Sequence, residues 1–95
     1  MLTERAELLV RAGEEEAFAA MVAADVKPLL LGVPGILSVR LGRGVENPQK
    51  FIMLNEWSEL AAHDAFNGSA AQTLLRSLLS TFTIYGAMEH FVIEP

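Results

Sequence analysis

The chain of 95 residues contains no cysteine. That excludes disulfides, thiolate metal ligands and a cysteine nucleophile, and it leaves the compartment open. Positive charge is also scarce. Seven Lys and Arg stand against twelve Asp and Glu, for a formal net charge of -5 and a pI near 4.9. The basic residues are scattered, so neither a nucleic acid nor an anionic membrane is an expected partner. No apolar run is long enough to span a bilayer; the longest, Pro28 to Leu37, is interrupted by Gly32, Pro34 and Gly35. The first ten residues, MLTERAELLV, carry charges where a signal peptide needs an apolar core. A cytoplasmic protein is the default expectation. Histidines are few as well: His63 and His90 show no HxH, HxxxH or HExxH spacing, so no metal ligand set is expected. Gly42-Arg43-Gly44 does not open a helix and fails the dinucleotide fingerprint. No cofactor is expected.

What is abundant is apolar surface. Hydrophobic residues make up 52% of the chain, and mean hydropathy is +0.33. In a chain of this size that surface must be buried within one fold, against a partner or around a ligand. No repeat or linker divides the sequence, so residues 1–95 read as a single domain.

Alternation predicts a strand over 3–12, with Ala6, Leu8 and Val10 on one face and Arg5, Glu7, Leu9 and Arg11 on the other. Glu14, Glu15 and Glu16 open a helix, where negative charge suits the positive end of the dipole. Phe18, Val22 and Val26 give it a core stripe, and Pro28 is expected to kink or end it. A second strand covers 36–43, with Leu37, Val39 and Leu41 on one face. The third, 50–57, has Phe51, Met53, Asn55 and Trp57 on one face and Ile52, Leu54 and Glu56 on the other. Ser58 is the expected cap of a short helix that ends at Asn67-Gly68. Ser69 and Gln72 then form a capping box for a helix carrying Leu74, Leu75, Leu78, Leu79 and Phe82. Residues 83–93 form the last strand.

The order is βαββαβ, with the second helical unit split in two. It predicts an α+β, ferredoxin-like fold: a four-stranded antiparallel sheet with helices on one face. Three strands are apolar on both faces, so the sheets of two copies are expected to pack together in a homodimer.

Three local patterns carry a family resemblance: the first strand running into Gly13 and an acidic helix start, Val33-Pro34-Gly35 before the second strand, and Trp57-Ser58-Glu59 followed by Ala62-His63-Asp64-Ala65-Phe66 and Ser69. Together with the element order, the chain resembles the antibiotic biosynthesis monooxygenase (ABM) family of the dimeric α+β barrel fold. The resemblance implies cofactor-independent oxygenation of an electron-rich aromatic such as a quinol or anthrone. Many quinol-oxidising relatives have a histidine where this chain has Phe66. Haem-degrading relatives place one where it has Ser69-Ala70-Ala71-Gln72. A non-catalytic module for a small hydrophobic ligand and a haem-binding or haem-degrading protein are the alternatives.

Such chemistry needs a proton acceptor, a donor for the enolate oxygen and a dry aromatic pocket. Asn55 and Trp57 project from one strand face, as amide donor and stacking wall. His63, with Glu59 to orient it, and His90 are the candidate bases. Phe18, Met21, Phe66, Leu75 and Leu79 are expected to line the pocket, with Tyr85 as a further donor. Each has a plainer reading: Trp57 as an anchor, Asn55 bonded to loop backbone, the histidines as paired surface or interface residues, and the rest as core. Arg40 is expected to pair with Glu7 or Glu56.

Overall fold

The computed structural model describes residues 1–95, in the order β1 (Leu2–Val10), α1 (Glu15–Met21), a π-helical segment (Val22–Val26), α2 (Lys27–Leu31), β2 (Ile36–Arg43), β3 (Lys50–Trp57), α3 (Leu60–Phe66), α4 (Ala70–Ser80) and β4 (Thr83–Val92). The strands make one antiparallel sheet in the order β2-β3-β1-β4. This is the ferredoxin-like arrangement the sequence predicts. No helix is long and apolar enough to cross a membrane.

Alternation decides which face the helices cover. Leu2, Ala6, Leu8 and Val10 of β1 and Phe51, Met53 and Trp57 of β3 are all buried beneath them. Glu4 and Asn55 share that face and are buried with them. On the opposite, uncovered face, Thr3 donates to Glu56 at 2.8 Å, and Glu7 pairs with Arg5 at 3.4 Å and Lys50 at 3.8 Å. Arg40 has neither of its expected partners, because Glu7 and Glu56 are taken by these neighbours.

Pro28 does not end the first helical run, which continues to Leu31. The turn before it is widened into the π segment instead. The widening has a packing reason. Phe18, Val22, Val26 and Leu30 recur at every fourth position, and all four are buried. On a regular 3.6-residue turn, four residues overshoot a full turn by about 40°, so the stripe drifts off the sheet. A wider π turn rotates less per residue and takes back part of that drift. The widening immediately precedes the residue with no backbone donor.

Smaller departures are local. The cap of α3 is Glu59 rather than Ser58, without a side-chain hydrogen bond. Leu37 lies at a register shift between β2 and β3 and is exposed. Leu74 also faces out, while Leu75 and Leu79 carry the core stripe of α4. The predicted capping box at α4 is present in a shifted form. Ser69 Oγ accepts from the Gln72 backbone N–H at 3.2 Å, and Gln72 Oε1 accepts from the Gly68 backbone N–H at 2.6 Å.

Gly35 sets where β2 begins relative to α3. Its φ of +93° is one that L side chains rarely adopt, and a Cβ there would stand 2.3 Å from Ala62 Cβ. Its carbonyl accepts from the Ser58 backbone N–H at 2.7 Å. Gly35→Ala is therefore expected to cost about 2–4 kcal/mol, from strained backbone plus an overpacked contact. Urea denaturation measures it; a loss under about 0.5 kcal/mol, within the range of ordinary surface substitutions, would contradict this account.

Candidate active site

The register of the sheet places Glu4 of β1 opposite Asn55 of β3 on one side and His90 of β4 on the other. A carboxylate between two polar neighbours on an otherwise apolar face must find partners, since an unpaired buried charge costs several kcal/mol. Glu4 finds four. Its Oε1 accepts from Asn55 Nδ2 at 3.1 Å and from Trp57 Nε1 at 3.3 Å. Its Oε2 lies 3.2 Å from His90 Nε2 and 3.4 Å from His63 Nε2. The two imidazole Nε2 atoms are themselves 3.0 Å apart.

The helix α3 delivers His63 because Phe66, one turn on, is anchored. The Phe66 ring packs 5.4 Å from Trp57, whose ring also meets His63 edge-on at 5.3 Å. His63 is thus held between Trp57 and His90, with its ring 4.3 Å from that of His90. Exposure grades outward: the side chain of Glu4 is 8% exposed, His63 14% and His90 33%. The cluster opens to solvent on the His90 side.

The structure changes the expected roles. Asn55 and Trp57 are both buried, and each gives one donor to Glu4. They orient the carboxylate, and at this burial neither presents an open face to a substrate. Reversing the Asn55 amide would set oxygen against oxygen, which fixes Nδ2 toward Glu4. His63 and His90, far apart in sequence, do converge. The carboxylate that meets His63 is Glu4, not Glu59. Although their sequence spacing suggests no ligand set, these histidines and Glu4 present three potential ligand atoms within 4.8 Å of one another.

The expected pocket lining is dispersed. Phe18 packs on Phe51 and Phe82 at 4.9 and 6.1 Å, toward the other end of the sheet. Met21 and Leu75 belong to the core. Tyr85 stands opposite Leu9 on the face away from the helices, so it does not reach the cluster. Phe66 borders a groove of about 590 Å³ between α2, α3 and the start of α4, formed with Pro28, Val33, Ala62 and Ala71. Leu79 borders an opening of about 460 Å³ beside β4, with Leu8, Arg76, Gly86 and Met88. The larger groove touches none of the three clustered ionisable groups. Neither does the smaller one touch any of them; it reaches the cluster's strand only as far as Met88, two residues before His90 on the same face.

The antibiotic biosynthesis monooxygenase profile matches residues 1–75. The chain belongs to this family. It is 30% identical over 93 residues to the uncharacterized protein YczJ of Bacillus subtilis (strain 168), covering 96% of this chain and 97% of that one. A solved structure from Bordetella bronchiseptica, named for the same family, superposes with a TM-score of 0.89 at 28% identity, over 99% of this chain and 97% of the other. SnoaB from Streptomyces nogalater, a cofactor-independent oxygenase, superposes at 0.85 and 14% identity, over 99% and 93%. That likeness speaks for the fold. Within this ABM domain, Glu4 is the residue that sequence reasoning missed. The signal was its position in step with Ala6, Leu8 and Val10, on the face destined for burial.

Glu4→Ala would strand the buried donors of Asn55 and Trp57, at about 1–3 kcal/mol each. The expected loss of stability is about 2–6 kcal/mol, read by chemical denaturation followed through Trp57 fluorescence. An unchanged midpoint would show that the two donors do not depend on the carboxylate.

Proposed function

We propose that this ABM domain is a small cofactor-independent monooxygenase acting on an electron-rich aromatic of the quinol or anthrone class. The observation that carries the reading is the Glu4–His63–His90 cluster, graded from buried to exposed, with Met88, two residues before His90 on the same strand face, bordering an opening beside β4. A carboxylate held by two donors and facing two imidazoles is an arrangement suited to accepting a substrate proton. His90, the most exposed member, takes that proton. Glu4 stabilises the imidazolium that results. Leu8, Leu79 and Met88 provide the apolar surface for the ring, and Arg76 at the rim offers a donor to the developing anion.

The remaining steps need no reductant. The substrate anion passes one electron to dioxygen, and the radical pair combines to form a carbon–oxygen bond. The resulting peroxide recovers the proton; loss of the remaining hydrogen on the same carbon as a proton then forms the C=O bond and expels hydroxide from the O–O bond. One oxygen stays as a carbonyl, the other leaves as water, and all the electrons come from the substrate.

The proposal includes a homodimer through the uncovered sheet face. Support comes from the apolar residues there: Tyr85, Phe91 and Ile93 are 54%, 42% and 63% exposed, beside half-buried Leu9, Ile52 and Leu54. A non-catalytic binding module is the second reading. It is favoured by the larger apolar groove, which lies apart from the ionisable cluster.

Oxygen uptake with a panel of quinols and anthrones separates the two. The oxygenase consumes oxygen above the buffer rate, and His90→Ala lowers kcat by about 100-fold or more. No uptake with any substrate, together with saturable binding of the same compounds, selects the binding module. For assembly, light scattering is expected to give a dimer at tens of micromolar, and Phe91→Glu a monomer. A wild-type monomer at that concentration would refute the sheet-to-sheet pairing.

A further inference from the structure

The same three side chains pose a proton-counting problem. Glu4 Oε2, His63 Nε2 and His90 Nε2 form a triangle with edges of 3.0, 3.2 and 3.4 Å. A carboxylate oxygen is an acceptor, and a neutral imidazole nitrogen is either donor or acceptor. If both Nε2 atoms carry hydrogens, both can be donated to Oε2, and the 3.0 Å contact between the two nitrogens is left without a hydrogen bond. If only one does, it serves one edge well, and the other nitrogen turns a lone pair toward the carboxylate. No assignment of protons satisfies all three edges. A cation at the centre satisfies them all, because it meets three lone pairs at once.

The dimensions agree. Ligand atoms about 2.05 Å from a tetrahedral ion stand about 3.3 Å apart, and those at adjacent octahedral positions about 2.9 Å. Two of the observed edges, 3.0 and 3.2 Å, lie in this interval and the third, 3.4 Å, lies just above it, so little rearrangement is needed to close on an ion. The donor set is two imidazole nitrogens and one carboxylate oxygen, which suits zinc and its first-row neighbours and not magnesium or calcium.

The surroundings are those of a supported site. Asn55 and Trp57 fix Glu4 through Oε1 and leave Oε2 presented to the histidines. Such outer partners set ligand orientation in metal sites. His63 Nδ1 is buried without a hydrogen bond, with Asp64 Oδ1 3.7 Å away. Ligation through Nε2 places the ring hydrogen on Nδ1, beside that carboxylate. The one-third exposure of His90 leaves room for water as a fourth ligand.

We propose that Glu4, His63 and His90 bind a divalent first-row transition cation of the zinc type. The ligands come from β1, α3 and β4, so the ion clamps the short helix to the edge strand. Binding also occupies the His90 lone pair, making the cation an inhibitor of any proton transfer at that atom. The site does not depend on the oxygenase reading, because the ligands are defined by geometry alone.

The test uses tag-free, chelator-stripped protein titrated with Zn²⁺ by calorimetry, with no aromatic present, and with Co²⁺ monitored by its visible absorption. The expected result is one Zn²⁺ per chain at micromolar affinity or tighter, a raised Tm, and the intense band of four-coordinate cobalt. Mg²⁺ should give neither heat nor stabilisation. His90→Ala, at a partly exposed position that should tolerate truncation, is expected to weaken Zn²⁺ by about 100-fold or more, and Asn55→Ala by about 10-fold through the freed carboxylate. Circular dichroism checks that both variants are folded; His63→Ala replaces either one that is not. Absence of one-to-one binding at 100-fold excess, or affinity unchanged in folded His90→Ala and His63→Ala, would overturn the site. Since the heat is read without substrate, a failed oxygenase assay leaves this result standing, and the reverse also holds.

Discussion

A single buried carboxylate organises this molecule's polar centre. Glu4 sits on the covered face of β1, where alternation puts leucine, alanine and valine at the positions that follow. Taking its charge out of water costs several kcal/mol, which only well-placed partners can offset. Its two oxygens divide the work. Oε1 takes the Asn55 and Trp57 donors, tying β1 to β3 through side chains as well as backbone. Oε2 faces the two imidazoles and ties β1 to α3 and β4. The position of α3 follows from the same constraint. A helix of seven residues has little stability of its own; it is held by Phe66 on Trp57 and by His63 at the carboxylate.

Most of the architecture was legible because it rests on periodicity. The boundaries of β2 and β3 agree with the alternation, and the glycine–serine break between α3 and α4 is where turn chemistry puts it. The π segment was not legible. A stripe at every fourth position reads as an ordinary helix, and only its meeting with a flat sheet shows that a regular turn would drift away. The site was half legible. Asn55, Trp57, His63 and His90 stood out as polar or aromatic groups in apolar surroundings, and they do assemble. What joins them did not stand out. In Thr3-Glu4-Arg5 both faces of the strand are polar, so only the phase of Ala6, Leu8 and Val10 further along marks Glu4 as the inward member. Its partners are 51, 53 and 86 residues away. Their meeting depends on strand order and register, which no local spacing encodes.

The cavities make a related point about where chemistry can occur. Neither the more voluminous groove, between α2, α3 and α4, nor the smaller opening beside β4 is lined by a member of the ionisable cluster. The smaller opening beside β4 exists because α4 leaves the far edge of the sheet uncovered: Met88 and Val92 on that face are 46% and 72% exposed. The uncovered edge is also what leaves His90 in contact with solvent while Glu4 stays dry. The gradient of exposure through the cluster is therefore a product of the fold, of one helix layer too narrow for four strands.

That gradient decides what the cluster can do. A carboxylate alone at this depth has no contact with a substrate, and a histidine alone at the surface has nothing to hold its ring or stabilise its charged form. Joined, they make an acceptor whose outer atom is reachable and whose charge is compensated from inside. The convergence that suits a proton also suits a divalent cation, because one carboxylate oxygen and two imidazole nitrogens about 3 Å apart offer three possible ligand atoms to one point. The proposed proton transfer and the proposed metal binding draw on the same three atoms, which the fold brings together by setting Glu4 between Asn55 and His90 in the sheet.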